Sequence, residues 1–172
     1  DRHGFERRWA PVMKETLRKT ITAPLDPRVP GLVLEKVARG DRLTEMEFYF
    51  PLKRTHLPGL ADVFASRGDA PWRDEFCARL RSLPAEPVRG MARGFIDLVF
   101  RHAGRYYIVD WKSNLLGDSP GDYNEGALRS AMMTHLYFLQ YHLYAVAVHR
   151  YLRLRHPGLP RQRFPRSRRH LA

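Results

Sequence analysis

The sequence predicts a domain that mixes helices with strands, and three observations predict it. Two apolar runs, Phe95–Phe100 and Tyr106–Trp111, are rich in β-formers and joined by a short polar segment with a glycine, the pattern of a β-hairpin. Residues 125–155 contain no proline and no glycine beyond Gly126, and are dense in Leu, Ala, Met and Tyr, which predicts about 30 residues of helix in one or two pieces. The run TEMEFYFPL alternates, with Met46, Phe48, Phe50 and Leu52 on one face and Glu45, Glu47 and Tyr49 on the other, as a strand beside the hairpin does.

The remaining elements follow in order. Phe5, Trp9, Val12, Met13, Leu17 and Ile21 recur at helical spacing, so a first helix covers much of 5–22, with Pro11 in its first turn or kinking it. Pro24, Pro27 and Pro30 then interrupt the chain. Between Lys53 and Gly90 the pattern is less regular. Asp69-Ala70-Pro71 reads as a helix N-cap, and Trp72, Phe76, Leu80 and Leu83 predict a helix near 71–83 that Pro84 and Pro87 close. Residues 117–125 form a polar loop.

At 172 residues the chain is long enough for one domain with a core. It has no apolar run of membrane-spanning length and does not open on a secretory signal, and its first residue is not Met, as in a fragment of a longer polypeptide. The single cysteine, Cys77, excludes an internal disulfide and any four-cysteine zinc or iron–sulfur site made by this chain alone, and reads as a small buried hydrophobe. The formal net charge of +12 invites a nucleic-acid partner. No Asp or Glu follows Glu125, however, while nine arginines from Arg129 to Arg169 do, so the excess is largely C-terminal. Residues 156–172, rich in Pro and Arg, read as a disordered basic tail able to bind phosphates without sequence preference.

The chemistry concentrates in the hairpin. If Ala103 and Gly104 are the central turn residues, His102 faces Arg105, Phe100 faces Tyr107 and Asp97 faces Asp110, with Lys112 on the same face two residues on. Opposed carboxylates destabilise a sheet unless something positive lies between them. The apolar residues around both aspartates suggest strands buried on both sides, where carboxylates are paired or bind metal. Mg2+ takes oxygen ligands, and Asp97, Asp110 and the backbone carbonyl of Trp111 supply three. On the long helix Gln140 and Tyr144 lie at i and i+4, with Tyr137 one turn earlier, and a glutamine among apolar residues needs a partner such as a phosphate or a nearby lysine. Glu45 or Glu47 is a further candidate for the acidic face.

GFID (Gly94–Asp97), Asp110-Trp111-Lys112 followed by Ser113-Asn114, and the Gln140…Tyr144 pair, in this order and spacing, resemble the RecB-type nuclease domains of the PD-(D/E)xK superfamily. The likeness is close over about sixty residues, and MEFYFPL and VRGMARGFID extend it upstream more loosely. The resemblance implies an α/β fold with a restriction-endonuclease-like core, a mixed sheet with a central hairpin flanked by helices. It implies an exodeoxyribonuclease V type enzyme that hydrolyses DNA phosphodiester bonds in repair and recombination. Asp97, Asp110 and Lys112 are then catalytic, Gln140 and Tyr144 anchor the lysine or the DNA, and Mg2+ is the cofactor, with Mn2+ or Ca2+ as substitutes. The implied partners are DNA, RecC- and RecD-like subunits, a helicase part of the same polypeptide, and RecA, in the bacterial cytoplasm and without a membrane. A motif histidine expected upstream is not matched, since His3 lacks its context, so residues 1–155 read as such a domain incomplete at both ends. The competing reading is a catalytically inactive nuclease fold or a basic DNA-binding module whose hairpin is structural.

Overall fold

The computed structural model describes residues 6–66 and 71–155. His3, Asp69, Ala70 and the basic tail, each singled out above, lie outside them. Among the described residues five α-helices, α1 (Ala10–Thr22), α2 (Leu57–Ala65), α3 (Arg73–Arg81), α4 (Glu125–Thr134) and α5 (Tyr137–Arg155), accompany three strands, β1 (Arg42–Thr55), β2 (Val88–His102) and β3 (Arg105–Val109). The strands form one sheet in the order β1-β2-β3, so the α/β class and the place of the alternating strand beside the hairpin are as predicted. The chain divides into two compact units, Asp1–Thr44 with Leu98–Val109, and Glu45–Asp97 with Asp110–Ala172.

The first unit holds the hairpin's turn and paired rungs. β2 and β3 are antiparallel in the expected register, Leu98↔Val109 through Phe100↔Tyr107 to His102↔Arg105. Ala103 and Gly104 both have positive φ, 47° and 75°, as a two-residue type I′ turn requires. An alanine there bears a Cβ in the left-handed region, at a cost of about 1–2 kcal/mol. Ala103→Asn, which tolerates that conformation, should therefore stabilise the protein by about 1 kcal/mol, read as a raised urea midpoint with an unchanged m-value.

The face of the hairpin that carries Phe100 closes over Leu32, Leu34 and Val37, and the Phe100 and Tyr107 rings stack across the rung they share. Arg101 Nε and Nη2 donate to Asp41 Oδ1 at 3.0 and 2.8 Å. α1 begins as its spacing predicts, with Pro11 in the first turn, yet Trp9, Val12, Met13, Leu17 and Ile21 are all exposed and none of its residues is buried. Its periodicity reported a helix correctly but not a covered one.

The second unit contains the helical core. Ala61 and Phe76, Cys77 and Leu80 pack with Met133 and Phe138, so Cys77 is the buried small residue expected. α2 was not anticipated. The His56 ring caps it by accepting from the Gly59 amide at 3.1 Å, and Pro58 sits in its first turn. Leu57, Leu60, Ala61 and Phe64 supply helical spacing, a signal too short to stand out beside two breakers. α3 starts at Arg73, with Trp72 at its N-cap making no side-chain cap bond.

The long helix comes in two pieces, broken at His135 and Leu136, whose φ is +55°. On α5, His142 is enclosed by Phe64 and Tyr141 with ring centroids 4.6 and 4.7 Å away, and its Nδ1 donates to the Phe138 carbonyl at 2.6 Å. Burial pushes the imidazole pKa below its ordinary 6.5. A histidine that resists protonation only when folded leaves stability unaffected above that value and lowers it as pH falls through it, because the unfolded chain then binds the proton first. Between pH 7 and 5.5 the urea midpoint should fall more steeply for the wild type than for His142→Asn, which keeps a donor for Phe138 without titrating. Parallel profiles would remove His142 as the source.

Candidate functional site

Asp97 and Asp110 occupy the position next after the last paired rung, Leu98↔Val109. The ladder stops there, and the backbone is held by a side chain instead, since the Trp111 amide donates to Asp97 Oδ2 at 2.7 Å. That bond fixes one Asp97 oxygen toward β3's continuation. Lys112 reaches back to Asp110, with Nζ against Oδ2. Nζ also donates to Gln140 Oε1 at 2.7 Å, and Gln140 Nε2 donates to the Tyr144 hydroxyl at 2.7 Å. Burial, the charge of Asp110 and a hydrogen bond to Asp110 raise the Tyr144 pKa, with a smaller contribution from Asp97. A phenol held in its neutral form keeps its proton to donate to the carboxylate.

Asp110, Lys112, Gln140 and Tyr144 therefore form a continuous line of polar contacts that runs from the strand end to α5. The spacing of Gln140 and Tyr144 on one face of α5 and the lysine partner expected for the glutamine are both observed.

Several local choices set this geometry. Tyr144 is buried, with its ring edge-on to Phe48 at 5.7 Å. Phe48 in turn lies over Gly94, where an added Cβ would come within 2.6 Å of the ring. The glycine of GFID thus admits Phe48, and Phe48 backs Tyr144. Lys112 is further placed by the Tyr137 ring, whose centroid is 4.2 Å from Nζ. Tyr137 donates its hydroxyl to Asn114 Oδ1 at 2.9 Å, and the Asn114 amide meets His135 Nε2 at 3.3 Å. His135 was not anticipated. It comes near the site only because the helix breaks there, and no periodicity signals that.

Two expectations need correction. Glu47 does not join the acidic face, because its carboxylate is held by Arg93 at 2.8 Å and by the Tyr49 hydroxyl at 2.6 Å. Those contacts also lower its pKa, the bond to Tyr49 most of all. Nor are the strands around the aspartates buried on both sides: Phe95 is 45 % and Trp111 52 % exposed, and the Asp110 side chain keeps 18 % of its surface.

Among the described residues no group of three or more His, Cys, Asp or Glu side chains is placed to hold a metal. The pair itself is a set of hard oxygen donors, opposed at the end of the hairpin ladder just past Leu98↔Val109. Such a set suits Mg2+, which is commonly held by one or two carboxylates and completes its shell with water and phosphate. Among the described residues no helix is long and apolar enough to cross a membrane.

The chain is 41 % identical over 152 residues to the RecBCD enzyme subunit RecB of Escherichia coli K12, a match covering 88 % of this chain. It is 39 % identical over 140 residues to the RecB subunit of Haemophilus influenzae, covering 81 %, and 40 % identical over 160 residues to that of Mycobacterium tuberculosis H37Rv, covering 85 %. The chain is RecB-like over most of its length. It spans only 12 %, 11 % and 14 % of those three RecB proteins, respectively. No family model matches the chain. The RecB similarity extends well beyond the sixty residues that carry the motifs, and so takes in most of the elements that position them.

Proposed function

We propose that this chain is the nuclease portion of a RecBCD-type DNA repair and recombination enzyme, hydrolysing DNA phosphodiester bonds with Mg2+ at Asp97 and Asp110. The observation that carries the reading is the line of contacts Asp110–Lys112–Gln140–Tyr144, with Asp97 opposite Asp110 at the end of the hairpin, together with the RecB similarity along most of the chain. A hairpin kept only for its strands has no need of a lysine tied to a helix by a glutamine.

Asp97, Asp110 and the Trp111 carbonyl would hold the cation, which when bound supplies Lewis acidity to the phosphodiester and acidifies the attacking water. The chain's own part lies in Lys112. An ammonium has three donors, and Asp110 and Gln140 take two of them. The remaining N–H, beside the Tyr137 ring, is the one this reading gives to a phosphoryl oxygen as charge builds on it, the kind of preorganised donor that favours a transition state. Gln140 and Tyr144 hold the ammonium in place and are positioning residues. RecC- and RecD-like subunits, a helicase part of the same polypeptide and RecA are the partners this reading assigns, in the bacterial cytoplasm.

The test is cleavage of linear DNA by the full-length protein, with Mg2+ and in excess EDTA, for wild type and Lys112→Ala. Cleavage that needs the metal and the lysine supports a nuclease. DNA binding without such cleavage would move the binding-module reading ahead.

A further inference from the structure

Resting on the nuclease reading above, we infer that Tyr137, pinned by Asn114 and His135, is a positioning residue for the Lys112 ammonium, a support separate from Gln140 and Tyr144. Lys112 Nζ stands 4.2 Å from the centroid of the Tyr137 ring. An aromatic face attracts an ammonium without accepting a conventional hydrogen bond. It can steady the head of a flexible side chain and still leave an N–H for a stronger acceptor such as a phosphoryl oxygen.

The support exists because the helix is interrupted. Two positions apart on a continuous α-helix, His135 and Tyr137 would point about 200° apart. Instead their rings stack, with centroids 5.3 Å apart and planes at 22°. Leu136 between them is left-handed, with φ +55°. A leucine in that conformation is strained, and such strain persists only where the surroundings hold it, often at functional sites. Here the leucine packs against the core of Phe76 and Phe138, which holds the joint in place. His135 is itself exposed, so its stacking on Tyr137 adds nothing to that core.

Asn114 joins the two rings. Its Oδ1 accepts from the Tyr137 hydroxyl at 2.9 Å, and its amide donates to His135 Nε2 at 3.3 Å. An accepting Nε2 leaves the ring hydrogen on Nδ1, so the histidine in this arrangement is neutral. Tyr137 is thus held at its hydroxyl by Asn114 and along its face by His135. It cannot swing away from Lys112 without giving up both contacts. Asn114 lies only two residues past Lys112, so the lysine and the anchor of its ring move together.

Two measurements test this. The first needs neither DNA nor metal: 1H–13C spectra of the full chain with labelled lysine, in EDTA. Of the five lysines, Lys112 should show ε-methylene protons shifted upfield by the Tyr137 ring current, assigned by their loss in Lys112→Ala. That shift should vanish in Tyr137→Leu, shrink in Asn114→Ala and His135→Ala, and survive in Tyr137→Phe. The second is single-turnover cleavage by the full-length protein. Tyr137→Leu and Asn114→Ala should each slow it about tenfold, the effect of a catalytic group slightly out of place, with half-saturating DNA within twofold of wild type. Tyr137→Phe, which keeps the ring, should restore most of the rate. In a Lys112→Ala background Asn114→Ala should change the rate less than twofold, because residues that act through one group are not additive. A Lys112 resonance unmoved in folded Tyr137→Leu, or equal losses with and without the lysine, would overturn the support. Absence of metal-dependent cleavage would remove the nuclease reading alone, since the lysine resonance still decides whether Tyr137 holds the ammonium.

Discussion

Lys112→Ala should lower DNA cleavage by the full-length protein by about 10² or more while metal and DNA binding stay within a few-fold. The size follows from the loss of one well-placed catalytic donor. The selectivity follows from the geometry. Nζ is attached to Asp110 and Gln140 and lies over the Tyr137 ring, so the wild-type ammonium is held in one position before substrate arrives. Truncation removes that donor but leaves both carboxylates and the α5 face standing. Single-turnover cleavage at saturating protein separates the chemical step from binding. A variant that cuts at the wild-type rate, or wild-type cutting that proceeds equally in EDTA, removes the mechanism.

Asp110→Ala has the second large expected effect, abolishing Mg2+ and Mn2+ binding with the fold retained. Asp110 is a half-buried carboxylate at the end of a ladder, not a core contact, and its hydrogen-bonded neighbours Lys112 and Tyr144 can turn to water or to Gln140. The metal, by contrast, loses half of its proposed carboxylate set. Calorimetric titration of the full chain with Mn2+, alongside a thermal melt, reads both quantities. Indistinguishable titrations of wild type and variant would sink the metal site at this pair.

Much of this arrangement is legible in the residues because it depends on local periods. The hairpin register follows from a two-residue turn, and the turn from Ala103-Gly104, so the positions of Asp97 and Asp110 are fixed by counting. Gln140 and Tyr144 are one helical turn apart, and a glutamine among apolar residues demands a partner, for which a nearby lysine or a phosphate was the expectation. Other features depend on long-range packing that no local period encodes. Glu47 goes to Arg93, 46 residues away, and so does not join the acidic face for which alternation made Glu45 or Glu47 a candidate. The exposure of Phe95 is hidden in the same way, because an apolar run looks identical whether its second face is covered or exposed. α1 shows the converse, since a regular apolar stripe proved no guide to burial.

The two residues between α4 and α5 set the angular phase of everything that follows them. An uninterrupted helix would advance every side chain by about 100° per residue, from Met133 on the core to Tyr144 at the site, with no freedom to aim the two separately. Leaving the helix at His135 and re-entering at Tyr137, with Leu136 left-handed, uncouples these bearings. α4 can bury Met133, while α5 independently points Tyr137, Gln140 and Tyr144 at the lysine and its carboxylate. The joint thus works as an indexing step. Adding or removing one residue there would turn the α5 face by more than a quarter of a revolution and break the Lys112–Gln140 link without touching either residue.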